Sequence, residues 1–339
     1  MRFRKPGCIL LSLVIVLGAT AAQAGSSWSV LDIPGVTKTN VSAINRSNVI
    51  LGFFDSADGK EHGFLRAPDG TITQIDEPDA RSYTTPSTLN ENGDVVGQCL
   101  ISGKTKGFIR DANGTYVSIN IAGANVTSAS DINDDGVVVG YALTASNSLG
   151  FVRAADGTIT TFSVRNATDT TAFAINRRGV ILGNFEDAGG VEHGFLRGRG
   201  GKITAFDVPG ADSTGAGSIN DAGQVIGVYT TGGAIPVYHG YLRTPDGSFT
   251  TIDVSGPEFA AAKWTFPVDI NAKGEIVGFF TDTSGIRHGF VRTTDGTCVR
   301  LDAPGATETL PAMIAANDKI VGNYDNNHAF RLNGAGWRN

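Results

Sequence analysis

Apolar residues recur along this chain in short bursts rather than long stripes. VSAI (41–44), VILGFF (49–54), GFLR (63–66) and TITQI (71–75) follow one another with Asn, Asp, Gly and Pro between them. Bursts of this length, rich in Val, Ile, Phe and Thr and bounded by turn residues, read as β-strands and are too short for amphipathic helices. The N-x-x-G connection between the first two suits a type I turn closed by a left-handed residue, and Asn braces such a turn with its own side chain. P-D-G between the last two fixes φ with Pro and supplies positive φ with Gly. The pattern predicts four antiparallel strands, here called A to D.

The same unit is written seven times. The A–B phrase recurs as INRSNVILG (44–52), LNENGDVVG (89–97), INDDGVVVG (132–140), INRRGVILG (175–183), INDAGQVIG (219–227), INAKGEIVG (270–278) and a shortened ANDKIVG (316–322). A strand C phrase follows each one, from HGFLR (62–66) to HAFR (328–331), with a period of 43–49 residues apart from the shorter last unit. Four short strands per repeat of this length is the signature of a propeller blade. The chain begins its repeats with a lone strand D, WSVLDIPG (28–35), and its last unit lacks one. The predicted fold is therefore all-β: a seven-bladed β-propeller of four-stranded antiparallel blades, closed by an N-terminal strand that completes the last blade and removes the sheet edges. A β-solenoid is the alternative, but it needs neither the hairpin turns nor the split unit.

Composition narrows the setting. Glycine is abundant, at 45 of 339 residues, as many tight turns require, while net charge is −6 and pI about 5.4. That acidity argues against nucleic acid or an anionic membrane surface as partner. Residues 1–24 read as a signal peptide: Arg2, Arg4 and Lys5 precede an apolar run over Cys8–Leu17, and Ala22-Gln23-Ala24 is an A-x-A cleavage site. The expected product is one exported domain over 25–339, periplasmic or extracellular, with no further membrane span and monomeric. Cys99 and Cys298 remain as two isolated thiols rather than a disulfide framework.

All five histidines fall at one position of the repeat: His62, His193, His239, His288 and His328. Counting through the C–D turn sets them opposite Asp76, Asp207, Asp253 and Asp302, and closure of the ring brings Asp32 to His328. Where the His is replaced, by Lys106 or Leu149, the Asp is also gone, replaced by Asn120 or Ser163. These residues are expected to form a structural latch between strands C and D. Equivalent positions on successive blades stand too far apart to share one ion, so no metal site is expected, and no cofactor. A recurring Arg (Arg66, Arg110, Arg153, Arg197, Arg243, Arg292, Arg331) is expected to form strand-end ion pairs rather than a ring for polyanions. Asp131-Ile-Asn-Asp-Asp-Gly136 opens like a calcium loop, but Ala142 stands where the bidentate acid belongs, and sibling units lack the ligands.

The repeated HGFLR and HAFR phrases with INxxGxxxG resemble the bacterial HAF-family probable extracellular repeat proteins. The resemblance covers nearly the whole mature chain, and His328-Ala329-Phe330 carries the name-giving tripeptide. It implies an exported repeat protein and no particular chemistry.

No G-x-S-x-G or H-E-x-x-H constellation is present, so no catalytic residue is assigned. Between the strand D acid and the next turn position the spacing is at most 15 residues, except for 18 from Asp253 to Asn271. The longer segment carries Glu258, Phe259, Lys263, Trp264 and Phe266, and the lengthened B–C loop of the same blade, TTGGAIPVY (230–238), contributes Tyr238. Loops on a rigid scaffold are where binding resides. These six residues are the candidate ligand-binding set, for a glycan or an extracytoplasmic protein. The competing readings are aromatic side chains that plug a gap between blades, an envelope structural role, and a carbohydrate-active hydrolase or lyase with a loop-built site.

Overall fold

A computed structural model describes residues 28–334; the expected signal peptide and cleavage site lie outside the described residues. Among the described residues there are 28 β-strands and one short 3-10 turn at Pro257–Phe259. Strand β1 is Trp28–Val30. Unit one follows as β2 (Lys38–Ile44), β3 (Ile50–Asp55), β4 (Glu61–Arg66) and β5 (Ile72–Ile75). Unit two is β6 (Thr84–Leu89), β7 (Val95–Ile101), β8 (Lys104–Arg110) and β9 (Tyr116–Ile119). Unit three is β10 (Val126–Ile132), β11 (Val138–Leu143), β12 (Ser148–Arg153) and β13 (Ile159–Phe162). Unit four is β14 (Asp169–Ile175), β15 (Ile181–Glu186), β16 (Glu192–Arg197) and β17 (Ile203–Phe206). Unit five is β18 (Ser213–Ile219), β19 (Val225–Thr231), β20 (Val237–Arg243) and β21 (Phe249–Ile252). Unit six is β22 (Ala262–Ile270), β23 (Ile276–Asp282), β24 (Arg287–Arg292) and β25 (Cys298–Leu301). The last three are β26 (Thr309–Ile314), β27 (Ile320–Tyr324) and β28 (His328–Leu332).

Each unit is an antiparallel sheet in chain order, and the strand count fits about seven four-stranded blades. Units two and three are also joined by one parallel bridge, Val126 to Thr105. The final sheet runs β1-β28-β27-β26, with Trp28 opposite Leu332, Ser29 opposite Arg331 and Val30 opposite Phe330. Trp28 also packs against Phe330 at 4.8 Å between ring centroids. The first and last units share one apolar cluster, which includes Ile50 and Phe64 from unit one and Val321 and Ala329 from the last. Asn323 Oδ1 accepts from the Val41 amide (2.9 Å) across the same seam.

Two repeated phrases prove to be two halves of one contact. The last Gly of the A–B phrase lies directly opposite the aromatic residue of strand C, as in Gly52 with Phe64 and Gly183 with Phe195. A Cβ on Gly52 would stand 2.7 Å from the Phe64 ring and 2.1 Å from the Asn40 carbonyl. Glycine is required because the ring lies where a side chain would be, covering bare backbone.

A second device, unread in the sequence, ties each unit to the one before. Six residues ahead of the A–B turn position stands a Thr: Thr39, Thr84, Thr127, Thr170, Thr214, Thr265 and Thr309, all buried. Each Oγ1 accepts from the amide just beyond strand D of the preceding sheet, at 2.9–3.2 Å. The hydroxyl thereby satisfies a backbone donor that no strand can reach.

Candidate functional site

The six candidate residues divide. Tyr238 opens β20 and Trp264 and Phe266 lie near the start of β22, at the end of the sheets away from the A–B turns. They meet between units five and six: Tyr238 packs edge-on to Trp264 at 5.4 Å and against Phe266 at 5.6 Å. Phe266 in turn stacks on Phe279 at 4.9 Å, and Lys263 Nζ sits 4.1 Å over the Trp264 ring. The same junction elsewhere is polar: Glu61 with Thr85, and Arg287 with Glu308 (2.6 Å). Beside the rings the B–C loop leaves Ile235 81% exposed and Val237 38% exposed. Phe259 does not join this surface. It is 4% exposed and packs on Phe280, because the 3-10 turn folds it back into the core of unit six. Glu258 is exposed, and its carbonyl accepts from Arg300 Nη1 (3.2 Å).

The five histidines stand beside five carboxylates. His Nδ1 lies 2.9 Å from Asp76 at His62, 2.8 Å from Asp207 at His193 and 2.8 Å from Asp253 at His239. His288 lies 3.2 Å from Asp302 and His328 lies 2.7 Å from Asp32. Each ring also packs on an aromatic of strand B: Phe54, Phe185, Tyr229, Phe280 and Tyr324, with centroids 4.9–5.3 Å apart. Cys99 and Ala142 occupy that place in the two units that lack the His. The aromatic was a third covarying member of the set, visible in sequence as the third residue of GFF, GNF, GVY, GFF and GNY. At His193, burial opposes the charged ring, but hydrogen bonds and charge from Asp207 and Asp187 outweigh it and raise the imidazole above its ordinary value. The Asp side chains are 31–51% exposed, so these pairs are wet rather than core contacts.

Among the described residues the recurring arginines form no strand-end ion pairs. Arg110, Arg153 and Arg243 donate from Nη1 to the next residue's carbonyl at 3.2–3.3 Å. Arg197 and Arg243 also lie over Phe162 and Phe206 of the preceding unit, at 4.8 and 5.0 Å. A planar cation serves a turn carbonyl and a ring face at once, which a carboxylate pair would not replace. Arg331 does not occupy the repeat position at all: register places it with Leu65, and Leu332 takes the place of Arg66.

A cavity of about 230 Å³ is lined by the ends of all seven A strands. Its rim is a relay of side-chain amides. Asn45, Asn90, Asn133, Asn176 and Asn220 each donate from Nδ2 to the backbone carbonyl of the residue heading the next unit's turn, at 3.1–3.4 Å. Their Oδ1 atoms accept from their own turns, as the sequence predicts for Asn. Asp131 and Asp269 reach into the wall. Asp131 accepts from the Ile132 and Ile175 amides at 2.8 and 2.7 Å. Asp269 accepts from Ser218 Oγ (2.9 Å) and the Ile314 amide (3.0 Å). Both are half-buried where they line the cavity, and loss of solvation raises them, Asp131 to about 7. Asp131 is thus an inter-sheet staple, and its neighbour Asp134 pairs with Arg177 (2.9 Å) rather than joining a calcium loop. Among the described residues no group of three or more His, Cys, Asp or Glu is placed to hold a metal. Cys99 and Cys298 are free thiols, and burial pushes Cys99 up to about 12.

No protein-family model matches the chain, and a search of curated proteins found no match either, so the HAF resemblance rests on the repeat phrases alone. Solved structures do match. An inactivated virginiamycin B lyase from Staphylococcus aureus with quinupristin is 13% identical, with a TM-score of 0.63 over 90% of this chain and 98% of that one. The β-propeller domain of the trilobed protease from Pyrococcus furiosus, described as having an open velcro topology, is 14% identical with a TM-score of 0.56, over 79% of this chain and 85% of that one. Puromycin hydrolase matches at 14% identity and a TM-score of 0.57, over 87% of this chain but 51% of its own length. At such identities the likeness speaks for fold alone. The architecture of this chain is that of a β-propeller.

Proposed function

We propose that this chain is an exported HAF-type repeat protein, a seven-bladed propeller over residues 25–339 closed by β1, and that it is a non-catalytic scaffold. Its task is to hold an extracytoplasmic protein against the apolar surface around Ile235, Val237, Tyr238, Trp264 and Phe266. The carrying observation is that half-buried aromatic rings fill a junction that is polar in sibling units, beside a loop that leaves Ile235 and Val237 exposed. Aromatic anchors flanked by aliphatic surface suit a protein partner. A sugar needs an open ring face, whereas Lys263 covers Trp264 and Phe279 covers Phe266. The histidines repeat one arrangement, Nδ1 to an Asp and the ring on an aromatic, at five equivalent positions, which favours a repeated structural pair over a single catalytic base.

The test compares wild type, Ile235→Asp and Trp264→Ala, each confirmed folded, as bait in envelope extracts, followed by binding measurements with each purified candidate. A partner held by wild type at micromolar affinity and weakened at least tenfold by Ile235→Asp supports the reading. Equal binding by all three overturns it. A Trp264-dependent signal on a glycan array would transfer the site to a sugar.

A further inference from the structure

The exchange of Leu and Arg in the last unit moves one positive charge from one seam of the ring to another. In unit one, Phe64 and the cross-strand neighbour of Arg66, Ile50, belong to the apolar cluster shared with the last unit, so Arg66 faces that seam. In the last unit, Ala329 and the cross-strand neighbour of Arg331, Val321, belong to the same cluster. Arg331 therefore enters the seam from the opposite side. The seam between units six and seven becomes correspondingly apolar, with Val291 and Leu332 in one cluster. At the seams between, a single Arg meets Leu, Ile or Val.

Lys319 adds a third cation at the closing seam. It follows Asp318, which holds the left-handed turn position, and its Nζ donates to Asn48 Oδ1 (2.6 Å) of unit one. Among the described residues, none of Arg66, Lys319 and Arg331 has a carboxylate partner in an ion pair. Arg331 Nε is buried with no hydrogen-bond acceptor. Nearby acids are otherwise engaged: Asp69 accepts from the Thr71 amide (2.9 Å) and Asp318 pairs with Lys273 (2.5 Å). Burial and the charge of Arg331 depress both Arg66 and Lys319, and at Arg66 they outweigh the opposing charge of Asp69. All three remain partly exposed.

We infer that the closing seam is an oxyanion-binding site, in which Arg66, Arg331 and Lys319 grip a small tetrahedral anion of the phosphate or sulfate type. Two guanidinium groups enter one seam from opposite sheets, guanidinium forks suit oxyanions, and the ammonium adds a point charge. Because the three groups come from the two ends of the ring, the anion binds only when the ring is closed and stabilises it by linkage.

Thermal unfolding of the full mature chain is followed with increasing inorganic phosphate against chloride at matched ionic strength, and calorimetric titration with phosphate gives the affinity. Wild type is expected to gain on the order of 4 °C in Tm at a hundredfold excess over the dissociation constant, saturably. Arg331→Leu, and the double change Arg331→Leu with Leu332→Arg that restores the sibling order, should lose at least tenfold in phosphate affinity. Arg153→Gln, at a seam with one Arg, should respond as wild type does. Absence of a saturable phosphate effect in wild type, or an equal effect in both Arg331 variants, overturns the inference.

Discussion

Asn176 works in two directions at once: Oδ1 accepts from the Val180 amide of its own turn (3.0 Å) and Nδ2 donates to the Asn220 carbonyl of the next sheet (3.1 Å). Asn176 is 4% exposed, so its amide group is held between these two backbone partners away from bulk water. Asn176→Ala strands both and should cost about 2–4 kcal/mol by urea unfolding. A loss under about 0.5 kcal/mol would show that the relay contributes geometry without stability.

Tyr241 replaces the Phe of its siblings, is fully buried, and carries a hydroxyl with no hydrogen-bond partner. Tyr241→Phe removes a desolvated polar group and keeps the ring over Gly227. It should raise stability by about 1 kcal/mol. A destabilised variant would mean that the hydroxyl is satisfied in solution.

Asp131 gives a pH signature. Its carboxyl is raised to about 7 in the folded protein, so the folded state holds a proton that the unfolded chain releases near pH 4. Stability from this group therefore falls as pH rises from about 4 to 7, by on the order of 2–4 kcal/mol. Asp131→Asn should flatten that decline in unfolding measurements across the window; an unchanged profile would assign the slope elsewhere. Asp269 contributes in the same direction.

The His193–Asp207 pair predicts a smaller effect. The imidazole is raised, so its stabilisation is complete below about pH 6.5 and is lost as pH climbs through the folded value. With Asp207 about half exposed, Asp207→Asn should cost under about 1 kcal/mol at pH 6 and less at pH 9. A larger loss at pH 9 would contradict a charged pair. A latch of several kcal/mol, the expectation for a buried pair, does not fit this exposure.

Strand periodicity was legible because turns and strands advertise themselves locally. The His–Asp spacing of 14 residues was countable for the same reason: both residues sit on one hairpin. Contacts between sheets were harder to see. The second hydrogen bond of each Asn joins segments about 43 residues apart, and the Thr bond, though it spans only six residues in most units, crosses from one sheet to the next, which strand periodicity does not reveal. The recurrence of Thr six residues before each turn was nonetheless a visible signal. Arg331 was misaligned because a one-residue exchange keeps the composition of the phrase while turning the charge to the other face of the sheet. Phe259 looked like a surface aromatic since no periodicity reveals that a short 3-10 turn folds it inward.

Pairing of Trp28–Val30 with Phe330–Leu332 spans some 300 residues. A chain emerging vectorially during synthesis can assemble its middle sheets early but must keep β1 waiting until the final strand arrives. Loop closure over that distance is entropically slow. Until then β1 has no partner strand, which makes the interval before this pairing the period when a chaperone, a protease or a second nascent copy has most to gain.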